Sequence, residues 1–127
     1  MSDPTDSASW IARAEEDYKL PRSALRYKEP LTYGACFHAQ QCAEKYLKAI
    51  LVSTGQPFPR THDLLTLSDL CSRQGVLLGL DLDELDTLSS YAVRVRYPGD
   101  DPIPEEARRA AEIAQGVRRL ARRYLLK

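Results

Sequence analysis

The sequence predicts an all-α fold, an up-and-down antiparallel bundle of four to five helices. Two observations predict it. Apolar residues recur at three- and four-residue spacing through five stretches, and Pro and Gly gather between those stretches. The breaks fall at Pro30, at Gly55 to Pro59, at Gly75 to Gly79 and at Pro98 to Pro104. No stretch reads as β-strand, and short connections between long helices favour an up-and-down arrangement.

The first helix is expected from about Ser9 to Lys28, capped by Asp6 or Ser7, with Trp10, Ile11, Ala14, Tyr18 and Leu25 along one side and Pro21 interrupting it. The second, about Thr32 to Ser53, is the most clearly amphipathic. Cys36, Ala39, Ala43, Tyr46, Leu47, Ile50 and Leu51 share one arc, with His38, Gln41, Lys45 and Lys48 opposite. The third follows Thr61 as N-cap, has Asp63 in its first turn and turns Leu64, Leu67, Leu70 and Cys71 inward. The fourth, about Leu82 to Arg96, presents Leu82, Leu85, Leu88, Ala92 and Val93 to the core. The fifth has Pro104, Glu105 and Glu106 at its start and a stripe of Ala107, Ala110, Ala114, Val117, Ala121 and Tyr124, small enough for close packing.

A chain of 127 residues suits one domain, 1–127, around one core. Its 18 basic and 18 acidic residues cancel, so there is no bulk attraction to nucleic acid or anionic membrane, and any anion site must be local. No apolar run approaches the roughly 20 residues that span a bilayer, and Met1 to Ser9 lacks the pattern of a signal peptide. A cytoplasmic location without membrane contact is expected. Cys36, Cys42 and Cys71 are odd in number and lack C-x-x-C spacing. They read as small apolar residues kept reduced, and neither metal nor cofactor is expected.

Three polar side chains fall inside apolar arcs: Asp17, Gln40 and Arg96. A lone buried charge is expensive, whereas a carboxylate, an amide and a guanidinium that meet satisfy one another, so the three are expected to converge. One outcome is a network that fixes helix register or is completed across a dimer interface. The other is a cleft in which Arg96, with Arg94 and Tyr97, offers its planar fork to a phosphate. His38 reads as a solvated or interface residue, with a ligand role as the alternative, and His62 as part of the turn that caps the third helix, with a place facing a neighbouring cleft as the alternative. The arginines of the last helix, among them Arg108, Arg109, Arg118, Arg119, Arg122 and Arg123, form the best local basic surface, without the alternating aromatics of a base-stacking platform.

The run C-F-H-A-Q-Q-C-A-E-K-Y-L-K-A-I-L from Cys36 to Leu51, followed by P-R-T-H-D-L from Pro59 to Leu64, resembles the HEPN (higher eukaryotes and prokaryotes nucleotide-binding) family. A-E-E-D from Ala14 to Asp17 and Y-A-V-R-V-R-Y-P from Tyr91 to Pro98 are similar to that family in the same order. The resemblance implies a helical bundle that pairs into a homodimer, nucleotide or RNA association, and a minimal nucleotidyltransferase partner in a two-component, toxin-antitoxin-like module.

Many members of the family are ribonucleases that use an R-x(4–6)-H motif. Counting from Arg96 places the histidine at Asp101, Pro102 or Ile103, and counting from Arg94 places it at Gly99, Asp100 or Asp101. The arginine is present and the histidine is not. RNA cleavage without metal needs a group to take the 2′-hydroxyl proton and one to protonate the leaving oxygen, and an aspartate in an exposed loop is a poor substitute for imidazole. The expectation is therefore a binding protein with no catalytic residue of its own motif, its site formed by Arg94, Arg96 and Tyr97 with Asp17 and Gln40 in support. The alternatives are an atypical ribonuclease whose missing group comes from elsewhere, and a regulatory subunit that binds no nucleotide.

Overall fold

A computed structural model of the chain describes residues 6–92 and 97–126. It contains five α-helices: α1 (Ser7–Ala24), α2 (Thr32–Thr54), α3 (Leu64–Arg73), α4 (Leu82–Ser89) and α5 (Pro104–Leu125), with a 3-10 turn at Ser90–Ala92 after α4. The fold is an all-α helical bundle, and among the described residues no helix is long and apolar enough to cross a membrane.

Each start follows from local chemistry. Asp6 caps α1 by accepting from Ser9 N–H at 2.8 Å. α3 begins on Asp63, which accepts from Leu65 N–H at 3.1 Å, and not on Thr61 as the sequence suggests. Thr61 instead accepts from Asp63 N–H at 3.1 Å and so shapes the turn ahead of the cap. Asp81 caps α4 through Glu84 N–H at 3.0 Å, and Pro104 opens α5, where a missing N–H costs nothing. Pro21 lies buried inside α1, which continues through it to Ala24.

α2 ends on Gly55 at φ 75°, and Gln56 N–H reaches back to Leu51 C=O at 3.0 Å. This left-handed closure needs glycine. A Cβ here would meet no atom within 4 Å, so Gly55→Ala isolates the backbone cost. The variant should lose about 1 kcal/mol of stability, read as a lower urea midpoint at unchanged slope.

α2 is the central helix: α1, α3, α4, α5 and the 3-10 turn all pack on it. α1 lies antiparallel to it, since Asp17 meets Lys45, Glu15 meets Tyr46, and Ala24 C=O accepts from Leu31 N–H. The core gathers Ala14, the predicted arc of α2, Leu64, Leu67 and Cys71 of α3, Leu85 and Leu88 of α4, and the small-residue stripe of α5. The three cysteines are buried and free, and burial pushes the Cys71 thiol up to about 11.

Three expectations need correction. Leu82 is exposed, because it opens α4 on the outer side, while Leu85 and Leu88 carry the contact with the core. Lys48, placed on the polar face, is buried, since the helices around α2 leave it little free circumference. α4 stops at Ser89 and tightens into the 3-10 turn; Val93 and the predicted end at Arg96 lie outside the described residues.

Candidate functional site

The predicted site divides. Arg94 and Arg96 lie outside the described residues, and Tyr97 is exposed. Asp17 and Gln40 are buried as expected, yet no hydrogen bond joins them. Each is satisfied in its own network, on a different side of α2.

Asp17 accepts from Lys45 through one oxygen and meets His38 Nδ1 at 2.8 Å through the other. Both partners lie one helix away on α2, so Asp17 clips α1 to it. Two residues earlier Glu15 makes a larger junction. It accepts from Arg118 Nε at 2.7 Å and Nη2 at 2.8 Å, and from the buried Tyr46 hydroxyl. The Arg118 hydrogen bonds are the main cause that holds the Glu15 carboxyl at about 2, well below its ordinary value. Burial, with Glu15 beside it, pushes the Tyr46 hydroxyl up to about 12. These contacts explain much of the basic stripe on α5: Arg118 and Arg122 turn inward to Glu15, Arg109 pairs with Glu84, and Arg108 with Glu105.

The second network lies along Gln40, Glu44 and Lys48, spaced at four residues and therefore one above another on α2. Glu44, with a side chain 4% exposed, receives Lys48 Nζ at 2.9 Å, Gln40 Nε2 at 3.3 Å and His62 Nδ1 at 2.8 Å. The segment between α2 and α3 doubles back along α2, which is how His62 comes to lie against a residue nearly three turns before the end of that helix. Gln40 Nε2 also donates to His62 C=O at 3.0 Å, and Ser89 Oγ donates to the same carbonyl at 3.3 Å. Lys48 is further held over the rings of Trp10 and Phe58, at 5.6 Å and 5.8 Å.

The His62 ring is 56% exposed despite this buried support. It faces a groove of about 450 Å³ lined by Arg60, Thr61, Asp63, Asp86, Ser89 and Ser90. A carboxylate can only accept, so Nδ1 of His62 carries the proton that Glu44 receives, and in the neutral ring Nε2 keeps its lone pair. The arrangement is a fixed imidazole with one nitrogen open to solvent. The sequence places His62 just before α3, as a capping and turn residue that could also face a neighbouring cleft, and the groove is that cleft; what it leaves unread is the support from Glu44, for which the polar 40-44-48 stripe is the legible clue.

The fold and this groove define an all-α bundle with a carboxylate-supported histidine at the mouth between α3 and α4. The family model of the HEPN domain matches residues 7–124, and the chain belongs to that family. Membership points to a nucleotide- or RNA-related function. Neither the curated proteins nor the solved structures give a match.

Proposed function

We propose that the chain is a homodimeric nucleotide- or RNA-binding protein that acts with a minimal nucleotidyltransferase in a two-component, toxin-antitoxin-like module. One observation carries the binding reading. In a HEPN-family chain, the groove beside His62 is lined by Arg60 and by Ser90, and Arg94, Arg96 and Tyr97 follow Ser90 within seven residues of sequence. Guanidinium groups supply the planar, permanently charged donors that phosphate oxygens accept, and an exposed tyrosine beside them supplies a ring for a base. The balanced net charge makes this a local attraction, with affinity that falls as salt rises.

Fluorescence anisotropy with a labelled single-stranded RNA, beside thermal shift with ATP, GTP and AMP, tests the reading. Wild type should bind with a clear salt dependence, and Arg94→Ala/Arg96→Ala should weaken binding about tenfold or more, the scale of one lost charge-assisted contact. Equal affinity in both proteins, or no binding by wild type at low salt, counts against it. Sedimentation at micromolar protein should give a dimer.

A further inference from the structure

We infer that the groove between α3 and α4 is a docking surface for a cationic amphipathic helix of another protein, held by two leucines on its walls and by the aspartates around them. It adjoins the groove beside His62, with Asp86 bordering both, and it does not depend on the RNA-binding reading.

The walls follow from residue spacing. Leu65, Ser68, Asp69 and Ser72 recur at three and four residues and so share one face of α3, while Leu82, Asp83 and Asp86 lie together on α4. The two helices run antiparallel, since Leu64 N–H at the start of α3 donates to Ser89 Oγ at the end of α4 at 3.0 Å. Between them lies a groove of about 400 Å³, with the small serines on one wall. Leu82 is 62% exposed, more than any other leucine of the described helices. With Leu64 opposite Ser89, Leu65 and Leu82 are offset by roughly six residues, or about 9 Å along the groove. Two side chains seven residues apart on a helix stand about 10 Å apart, so one straight helix laid along the groove reaches both leucines.

Charge decides which kind of helix fits. Glu84 turns away to Arg109 on α5, whereas Asp83 and Asp86 have no ion pair or side-chain hydrogen bond among the described residues. Asp69 has only the exposed Arg73 beside it, in a pair that contributes little. Asp83 suits the first turn of α4 through the helix dipole, but Asp86 lies past that turn and gains nothing from it. Three carboxylates therefore face one guanidinium around exposed apolar side chains. Such a rim repels phosphate, and among the described residues no group of His, Cys, Asp and Glu is placed to hold a metal ion. A helix with two apolar anchors set among lysines or arginines matches both the shape and the charge.

A second copy of this chain fits less well. Its basic helix is α5, where Ile113, seven residues before the partly exposed Leu120, is already in the core. That helix offers one anchor where the groove takes two. Arg108, Arg109, Arg118 and Arg122 are also engaged with Glu105, Glu84 and Glu15.

The experiment uses the full chain and a labelled helical peptide whose two leucines stand seven residues apart, each flanked by lysines. Anisotropy should show binding at low salt that weakens as salt rises. Methyl NMR signals of Leu65 and Leu82 should shift, while those of the exposed Leu77 and Leu126 stay in place. Asp83→Asn/Asp86→Asn should lower the affinity about fivefold and Leu82→Ala tenfold or more. Neither variant breaks an ion pair or a core contact, so both should keep a urea midpoint near that of wild type. Changes to the peptide leave the protein untouched: glutamates in place of the lysines, or leucines moved off helical spacing, should each abolish binding. Binding that survives either peptide change, methyl shifts spread over the whole surface, or equal affinity in Leu82→Ala and wild type overturns the proposal. A dimer in sedimentation that falls to monomer in Leu82→Ala also overturns it, because a second copy would then be the occupant.

Discussion

Replacing Glu15 by glutamine should remove about 2 kcal/mol of stability at neutral pH, and the loss should shrink as the solution is made acidic. The carboxylate accepts two parallel bonds from Arg118 and a third from Tyr46, and Arg122 approaches it at 3.5 Å, so one side chain on α1 holds α2 and α5 together. The guanidinium of Arg118 also lies over the Tyr18 ring at 4.2 Å, which fixes its plane for the paired contact. An amide cannot accept from both arms of the fork without turning its own N–H groups toward a cation. Two guanidinium groups would then face one another with no anion between them.

The pH dependence follows from the Glu15 carboxyl. In the fold it sits at about 2, from an ordinary 4.5, mainly because Arg118 donates to it. That interval corresponds to about 3 kcal/mol in full, and partial solvent exposure reduces the useful part to about 2 kcal/mol. Between these two values the unfolded chain binds more protons than the folded one, so the contribution is complete above pH 4.5 and fades as pH falls toward 2. Denaturant titrations of wild type and Glu15→Gln at pH 7, 4 and 2.5 should show the gap narrowing in that order. A gap of constant size would mean that the amide disrupts packing and that the charge does not matter.

The apolar stripes were legible because they depend on one helix at a time. Ala107, Ala110, Ala114, Val117 and Ala121 repeat at three- and four-residue spacing, and all five are buried. The burial of Asp17 and Gln40 was legible for the same reason. Their partners were not, because Asp17 meets His38 and Lys45 across 21 and 28 residues, and Gln40 meets the His62 carbonyl across 22. A helical wheel says which side of a helix is apolar, yet it does not say how many neighbours surround that helix. That is why a wheel assigns Lys48 to the polar face although the fold buries it. His62 was hidden for a related reason: its partner Glu44 belongs to another helix, and only the return of the 55–63 connection along α2 brings the two together.

Leu47→Ala should cost about 3 to 4 kcal/mol, whereas Leu82→Ala should cost under about 0.5 kcal/mol, although the two leucines look alike in sequence. Leu47 is fully buried in the middle of the helix that every other element packs against. Removing its branched end opens a hole in the core that α1, α3, α4 and α5 close around α2. A site enclosed in this way relaxes poorly, so both the lost transfer energy and the cavity term are felt. Leu82 is 62% exposed at the start of α4, where truncation removes little apolar contact and leaves the Asp81 cap intact. Urea midpoints at constant slope measure both changes. Equal losses would place Leu82 in the core, contrary to its exposure, while a small loss at Leu47 would mean that α2 is not the element around which the bundle is built.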